Sequence, residues 1–165
     1  MKKLLLAILL MAPLSIFAQK FAHFNSSDII PNMKEFTAAQ TELQNLAKQY
    51  EEDLKRMQDE LQKKSEEYEK QAANLLDNVK QRREQELQTL YQRYQEALQE
   101  NQQVLNKTEQ EKMMEVQKLV MDAVKKVGEA GGYVYIVDTS AGVIPFVSPT
   151  LSTDVTSDIK KALGM

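Results

Sequence analysis

The sequence has no cysteine, no tryptophan and one histidine, and it is sparing with five glycines and four prolines. Without cysteine there is no disulfide framework, no thiolate metal site and no lipid-modified cysteine. One imidazole leaves no Cys/His pair, no Ser/His/Asp set and no Glu-x-x-His motif to assemble. The glycine-rich Gly128-Glu-Ala-Gly-Gly lacks the Lys-Ser/Thr of a phosphate loop and precedes a strand-like run, where a nucleotide fingerprint would open a helix. No catalytic, cofactor-binding or metal-ligating residue is therefore expected, and the chain is not read as an enzyme. His23, between Ala22 and Phe24, reads as a structural residue, with pH sensing as the lesser reading.

Where glycine and proline fall says more than how few there are. None lies between Pro31 and Gly128, and residues 32–127 are dominated by Glu, Gln, Lys, Leu and Ala. Such a stretch is one very long helix or a helical hairpin. As one helix it would be roughly 144 Å long, and as a hairpin each arm would be about 70 Å. The flanks decide between them: residues 20–25 and 133–138 both look like strands, and they can share a sheet only if the chain doubles back. The reversal is placed at about 74–83, where Asn74, Asp77 and Asn78 are the poorest helix formers.

Both halves carry an apolar stripe at spacings of three and four. Phe36, Leu43, Leu46, Tyr50, Leu54, Met57, Leu61, Tyr68, Ala72, Leu75 and Val79 run outward, and Leu87, Leu90, Tyr94, Ala97, Leu105, Met113, Val116, Val120, Val124 and Val127 return. Heptad steps from Leu54 to Leu61 to Tyr68 are interrupted by the longer step from Leu43 to Leu54, so no regular, tightly wound zipper forms. Acid-before-base pairs four apart, such as Glu51 with Lys55, Glu52 with Arg56 and Asp59 with Lys63, read as a solvated face.

At the start, Lys2 and Lys3, an apolar run from Leu4 to Leu14 and Phe17-Ala18-Gln19 read as a secretory leader cleaved near Ala18. The apolar run is too short to span a bilayer. The expected product is a soluble, exported protein. The formal charge of −3 becomes −5 once Lys2 and Lys3 are removed, which gives no reason to expect a nucleic-acid partner.

After Gly128 the composition changes. Gly131-Gly132 is a turn signal, and Tyr133-Val134-Tyr135-Ile136-Val137 is apolar on both faces, as a central strand would be. Val143-Ile144 is a further strand, limited by Pro145 and Pro149 to an edge or bulge. Thr153 or Asp154 caps a last short helix with Val155, Ile159 and Leu163 on one side. This body is near the lower size limit for a self-sufficient core. Strands apolar on both faces with no second layer imply that other copies supply it, with Phe24, Val134, Ile136 and Val137 as candidate oligomerisation residues.

The entry Asn25-Ser-Ser-Asp-Ile-Ile-Pro-Asn-Met33, the helix end Val120-Met-Asp-Ala-Val-Lys-Lys-Val127 leading to Tyr133-Val-Tyr-Ile-Val-Asp138, and the ending Asp154-Val-Thr-Ser-Asp-Ile-Lys-Lys161 resemble the Skp/OmpH family of periplasmic chaperones over essentially the whole mature chain. The resemblance implies a homotrimer whose helical arms enclose a cavity. It also implies periplasmic, ATP-independent holding of unfolded outer-membrane β-barrel proteins against aggregation, with no cofactor. The family's best-studied members are strongly basic and this chain is acidic, so contact with lipopolysaccharide or anionic membrane stays open. The alternative is a structural coiled-coil spacer or tether of the envelope without clients.

The expected fold class is α+β, a long coiled-coil hairpin projecting from a small β body and assembled as an oligomer, with the trimer as the family's implication. Its parts are a leader at 1–18, a β-rich oligomerisation body with a short C-terminal helix from 19–31 and 128–165, and an arm at 32–127. Met57, Tyr68, Leu75, Leu76, Tyr91 and Tyr94 are the candidate client contacts, because aromatic and Met side chains accept many sequences through nondirectional burial. Lys80, Arg82 and Arg83 are the candidate basic residues near the tip.

Overall fold

The computed structural model describes residues 19–165, so the leader expected at 1–18 lies outside the described residues. Two compact units are present, one of residues 19–29 with Val120–Met165 and one of Ile30–Leu119. Each has its own logic.

The second unit is a helical hairpin. After a 3-10 turn at Ile30–Asn32, helix α1 runs over Lys34–Gln71, a second 3-10 turn covers Ala72–Asn74, and helix α2 begins at Asp77 and ends at Gly131. The start of α1 is secured where Thr37 returns both its N–H and its hydroxyl to the Met33 carbonyl, at 3.1 and 3.2 Å. Leu75 breaks the helix by turning extended (φ −83°, ψ 147°), and the amides of Val79 and Lys80 then bond the Leu76 carbonyl at 2.9 Å to open α2. The reversal thus sits at 72–76, and Asp77–Arg83, placed by sequence within it, are already helical. A reversal through one extended residue needs no positive φ, which is why no glycine marks it. Asp77 in the first turn of α2 complements the helix N-terminus.

Packing along the hairpin is uneven. Met33, Ala39 and Val116 are buried at the end away from the turn, whereas nothing from Gln40 to Glu115 is fully buried. The stripe residues Leu43, Leu46, Tyr50, Leu54, Met57, Leu61 and Tyr68 are only half-buried. Nor do the acid-first pairs of α1 close as ion pairs: among the described residues Arg56 turns back to Asp53, while Lys107–Glu111 closes at 3.8 Å on α2. Exposed pairs of this kind carry little energy, so side-chain entropy readily prevails.

Helix α2 continues through Gly128, where the sequence suggested an end. A Cβ at Gly128 would lie 3.3 Å from Cδ1 of Ile136, so the missing side chain lets helix and strand approach closely. Gly132, with φ of 64°, then supplies the left-handed residue that stops the helix.

The first unit holds a three-stranded parallel sheet in the order β2-β1-β3, with β1 at Lys20–Phe24, β2 at Tyr133–Asp138 and β3 at Ser152–Asp154. Phe21 pairs with Tyr135 and Ser152, and His23 with Val137 and Asp154. Two expectations are corrected here. The central strand is β1, and the doubly apolar β2 lies at an edge. Val143-Ile144 is not a strand; the third strand is Ser152–Asp154, because Pro145 has no N–H for a ladder and residues 143–149 take irregular backbone. Ala22 and Phe24 share one face of β1 and are buried, as are Ile29, Val120, Ala123, Val155 and Ile159.

Two carboxylates tie the sheet's exits. Asp138 accepts from the amides of Ser26 and Ser140 at 3.2 and 2.9 Å. Partial burial pushes its pKa up, and these bonds more than offset that, so it lies below the usual aspartate range. Asp154 accepts from the Thr156 hydroxyl at 2.6 Å and amide at 2.9 Å, which lowers its pKa and starts the last helix, α3, at Thr156–Ala162. A carboxyl with a depressed folded pKa stabilises the fold above its unfolded value, and that contribution is lost as pH falls through the folded value. Urea melts of the Asp138→Ala/Asp154→Ala variant should accordingly fall short of the parent at pH 7, with the gap narrowing as pH falls through the two depressed values.

Candidate functional site

On the hairpin, the candidate contacts separate into two groups. Leu76 at the turn is 73% exposed and Tyr91 on α2 is 55% exposed. Met57, Tyr68, Leu75 and Tyr94 are half-buried along the seam. Tyr68 is further engaged, its hydroxyl donating to Oε1 of Glu84 at 2.5 Å, and that bond raises the phenol pKa. Of the basic residues, Arg82 is exposed, Lys80 is half-buried, and Arg83 donates to Glu86 at 3.1 Å. Positive charge near the turn is thus partly neutralised by the hairpin's own acids.

Midway along the seam lies a groove of about 630 Å³ between the helices, lined on its apolar side by Tyr50, Leu54, Tyr94, Leu98 and Leu105. It brings Tyr94 together with residues that the sequence assigned only to zipping the arms. Leu98 was missed altogether. It stands one heptad after Tyr91 and, like it, is exposed, which is the pattern that could have revealed it. The groove offers apolar walls beside the amides of Gln58, Asn101 and Gln102, an arrangement able to receive a side chain while bonding a peptide backbone.

In the sheet unit, the face of β1 opposite the core carries Phe21 and His23. Phe21 stacks on Tyr135 of β2, ring centres 6.4 Å apart and 9° from parallel. A cavity of about 310 Å³ opens on this face beside Ile144, Phe146 and Leu151, the last two largely exposed. Nδ1 of His23 lies 2.9 Å from the Ser152 hydroxyl, a structural tie between β1 and β3. Of the residues expected between copies, Val134 is 46% exposed, Ile136 and Val137 are half-buried, and Phe24, at 4%, is consumed by the chain's own core. Tyr135, 65% exposed beside Val134, was not singled out from sequence, because strand alternation alone could not say which face the chain covers.

Among the described residues no helix is long and apolar enough to cross a membrane. The fold matches a crystal structure described as an outer membrane chaperone (OmpH-like) from Caulobacter crescentus CB15, with a TM-score of 0.75 and 17% sequence identity over 88% of this chain and 83% of that one. None of the curated proteins compared matches the sequence. The family model for outer membrane protein (OmpH-like) matches residues 20–163, nearly everything after the leader-like start, and the chain therefore belongs to the OmpH-like family.

Proposed function

We propose that this protein is an ATP-independent holdase chaperone of the periplasm that binds unfolded outer-membrane proteins and keeps them from aggregating. The observation that carries the reading is a long hairpin whose apolar stripe stays half-exposed from Gln40 to Glu115 instead of closing into a core. A helix pair that left so much of its seam unburied for stability alone would be poorly designed, whereas a surface meant to hold a changing partner needs it accessible. Leu76, Tyr91 and the groove of Tyr50, Leu54, Tyr94 and Leu98 are the contacts, with Met57, Tyr68 and Leu75 adding to them as the arms shift. Each contact is weak and nondirectional, and several at once raise the effective concentration of the rest. Release follows when the client folds into a membrane and withdraws the surface being held.

Self-association belongs to the same reading. The open edge of β2 and the Phe21–Tyr135 face are covered by further copies, three in the arrangement the family implies, so that several hairpins surround one client. Charge on the hairpins keeps the loaded assembly dispersed.

Light scattering of a urea-diluted outer-membrane barrel tests the reading. With the protein in stoichiometric excess scattering stays low, and unchanged aggregation rejects the holdase role. Leu76→Ser together with Tyr91→Ser should raise the protein concentration needed for protection about tenfold, as loss of two partly buried apolar contacts implies.

A further inference from the structure

We propose that the outer end of the hairpin is held shut by a polar clasp that covers the apolar side chains of Tyr68, Leu75 and Leu87 beside the turn. Lys64 of α1 donates to Oε1 of Glu86 on α2, and Oε2 of the same carboxylate accepts from Arg83 at 3.1 Å. One helical turn further out, the Tyr68 hydroxyl reaches Glu84 at 2.5 Å. The Lys64 and Tyr68 bonds join α1 to α2 across the reversal at 72–76, while the Arg83 bond lies within α2 and holds the Glu86 carboxylate in place. Around them is a small pocket of about 70 Å³ with a mostly polar wall, to which Lys64, Arg83 and Glu86 themselves contribute and in which Tyr68, Leu75 and Leu87 supply the apolar part.

The physical reason to assign a clasp here is what the region lacks. Met33, Ala39 and Val116 bury apolar surface at the other end of the hairpin, but nothing near the turn is fully buried. Closure of this end therefore depends on charge-assisted hydrogen bonds, which are short-ranged and directional and are lost singly. Lys64 and Glu86 are each about one third exposed, so salt weakens their attraction. The other charges acting on the pair are Glu60 on α1 and Arg83 on α2, with Glu67 also at the pocket.

The bond to Glu86 raises the Lys64 pKa, and the bonds from Lys64 and Arg83 lower that of Glu86. The clasp is accordingly complete between the ordinary carboxylate and ammonium ranges. It is lost as pH falls through the depressed value of Glu86 or rises through the raised value of Lys64. Opening frees Tyr68, Leu75 and Leu87 beside the already exposed Leu76. Only the use of that enlarged surface by a client rests on the holdase reading.

Hydrogen–deuterium exchange on the full mature chain at neutral pH and low salt tests the clasp without any client. Glu86→Gln and Lys64→Met should each accelerate exchange of the amides over 66–84 by roughly two- to fivefold, the range for partly exposed ion pairs, while leaving 112–118 unchanged. Lys64→Arg, which keeps the charge, should exchange like the parent. Binding of an apolar fluorophore should rise in the two accelerated variants. Unaltered exchange, an equal acceleration along the whole hairpin, or faster exchange with no added dye binding would each overturn the proposal. Client protection, measured separately by light scattering, reports on the holdase reading alone.

Discussion

With aspartate in place of both Val134 and Tyr135, the proposed assembly predicts that the particle mass measured by light scattering falls to that of a single chain, and the proposed holdase role that protection of a denatured barrel protein disappears with it. Both side chains lie on the edge strand β2 and are exposed within their own chain, so their replacement should leave far-ultraviolet circular dichroism unchanged. Against a neighbouring copy each new carboxylate would have to be desolvated without a partner, at a cost of several kcal/mol. Since about 1.4 kcal/mol is a factor of ten in association, two such groups in every copy weaken assembly by on the order of a thousandfold or more. A variant that keeps the parent's mass would remove β2 from the interface. One that dissociates yet still protects its client would separate holding from assembly.

The second large effect concerns the core of the sheet unit. Ile29 and Ile159 have no exposed surface, and truncating either to alanine should cost about 2–5 kcal/mol, the transfer term plus the cavity left behind. Small domains have only about 5–15 kcal/mol in hand. The Ile29→Ala/Ile159→Ala variant is therefore expected to lose the sheet unit's cooperative transition at ordinary growth temperature, seen as early loss of near-ultraviolet dichroism from Tyr133 and Tyr135. Leu76→Ala, a comparable truncation at an exposed position, should leave that transition where it is. A double variant as stable as the parent would mean that these residues are not the centre of the core.

How much of this was legible beforehand follows from the range of the forces involved. Helix length could be read off residues 32–127 because propensity and the absence of glycine and proline act locally. The paired flanks, Lys20–Phe24 and Tyr133–Asp138, were legible for the same reason, as short runs of β-formers. The position of the reversal was less so, since an extended Leu75 needs no special residue. Strand order was not legible at all: β1 became central because β2 and β3 both pair with it, a choice made between segments more than a hundred positions apart. The same holds for Ser152–Asp154, in which local pattern offered Thr153 or Asp154 as a helix cap and the sheet used the segment as a strand. Among the candidate contact residues, sequence could not rank exposure. Tyr91 and Tyr94 share one helix and differ in which side of it faces the other arm, while Leu76 stands in the turn itself.

By itself, then, the order of amino acids determined that this is a chain of long helices with a small β body, because composition and periodicity act over a few residues at a time. Only the tertiary structure decided which strand lies at the open edge, which stripe residues remain exposed, and that Lys64, Tyr68, Arg83, Glu84 and Glu86 meet across the turn. Those outcomes depend on contacts between distant segments, where packing geometry and charge pairing, rather than local preference, select among arrangements that the sequence pattern leaves equivalent.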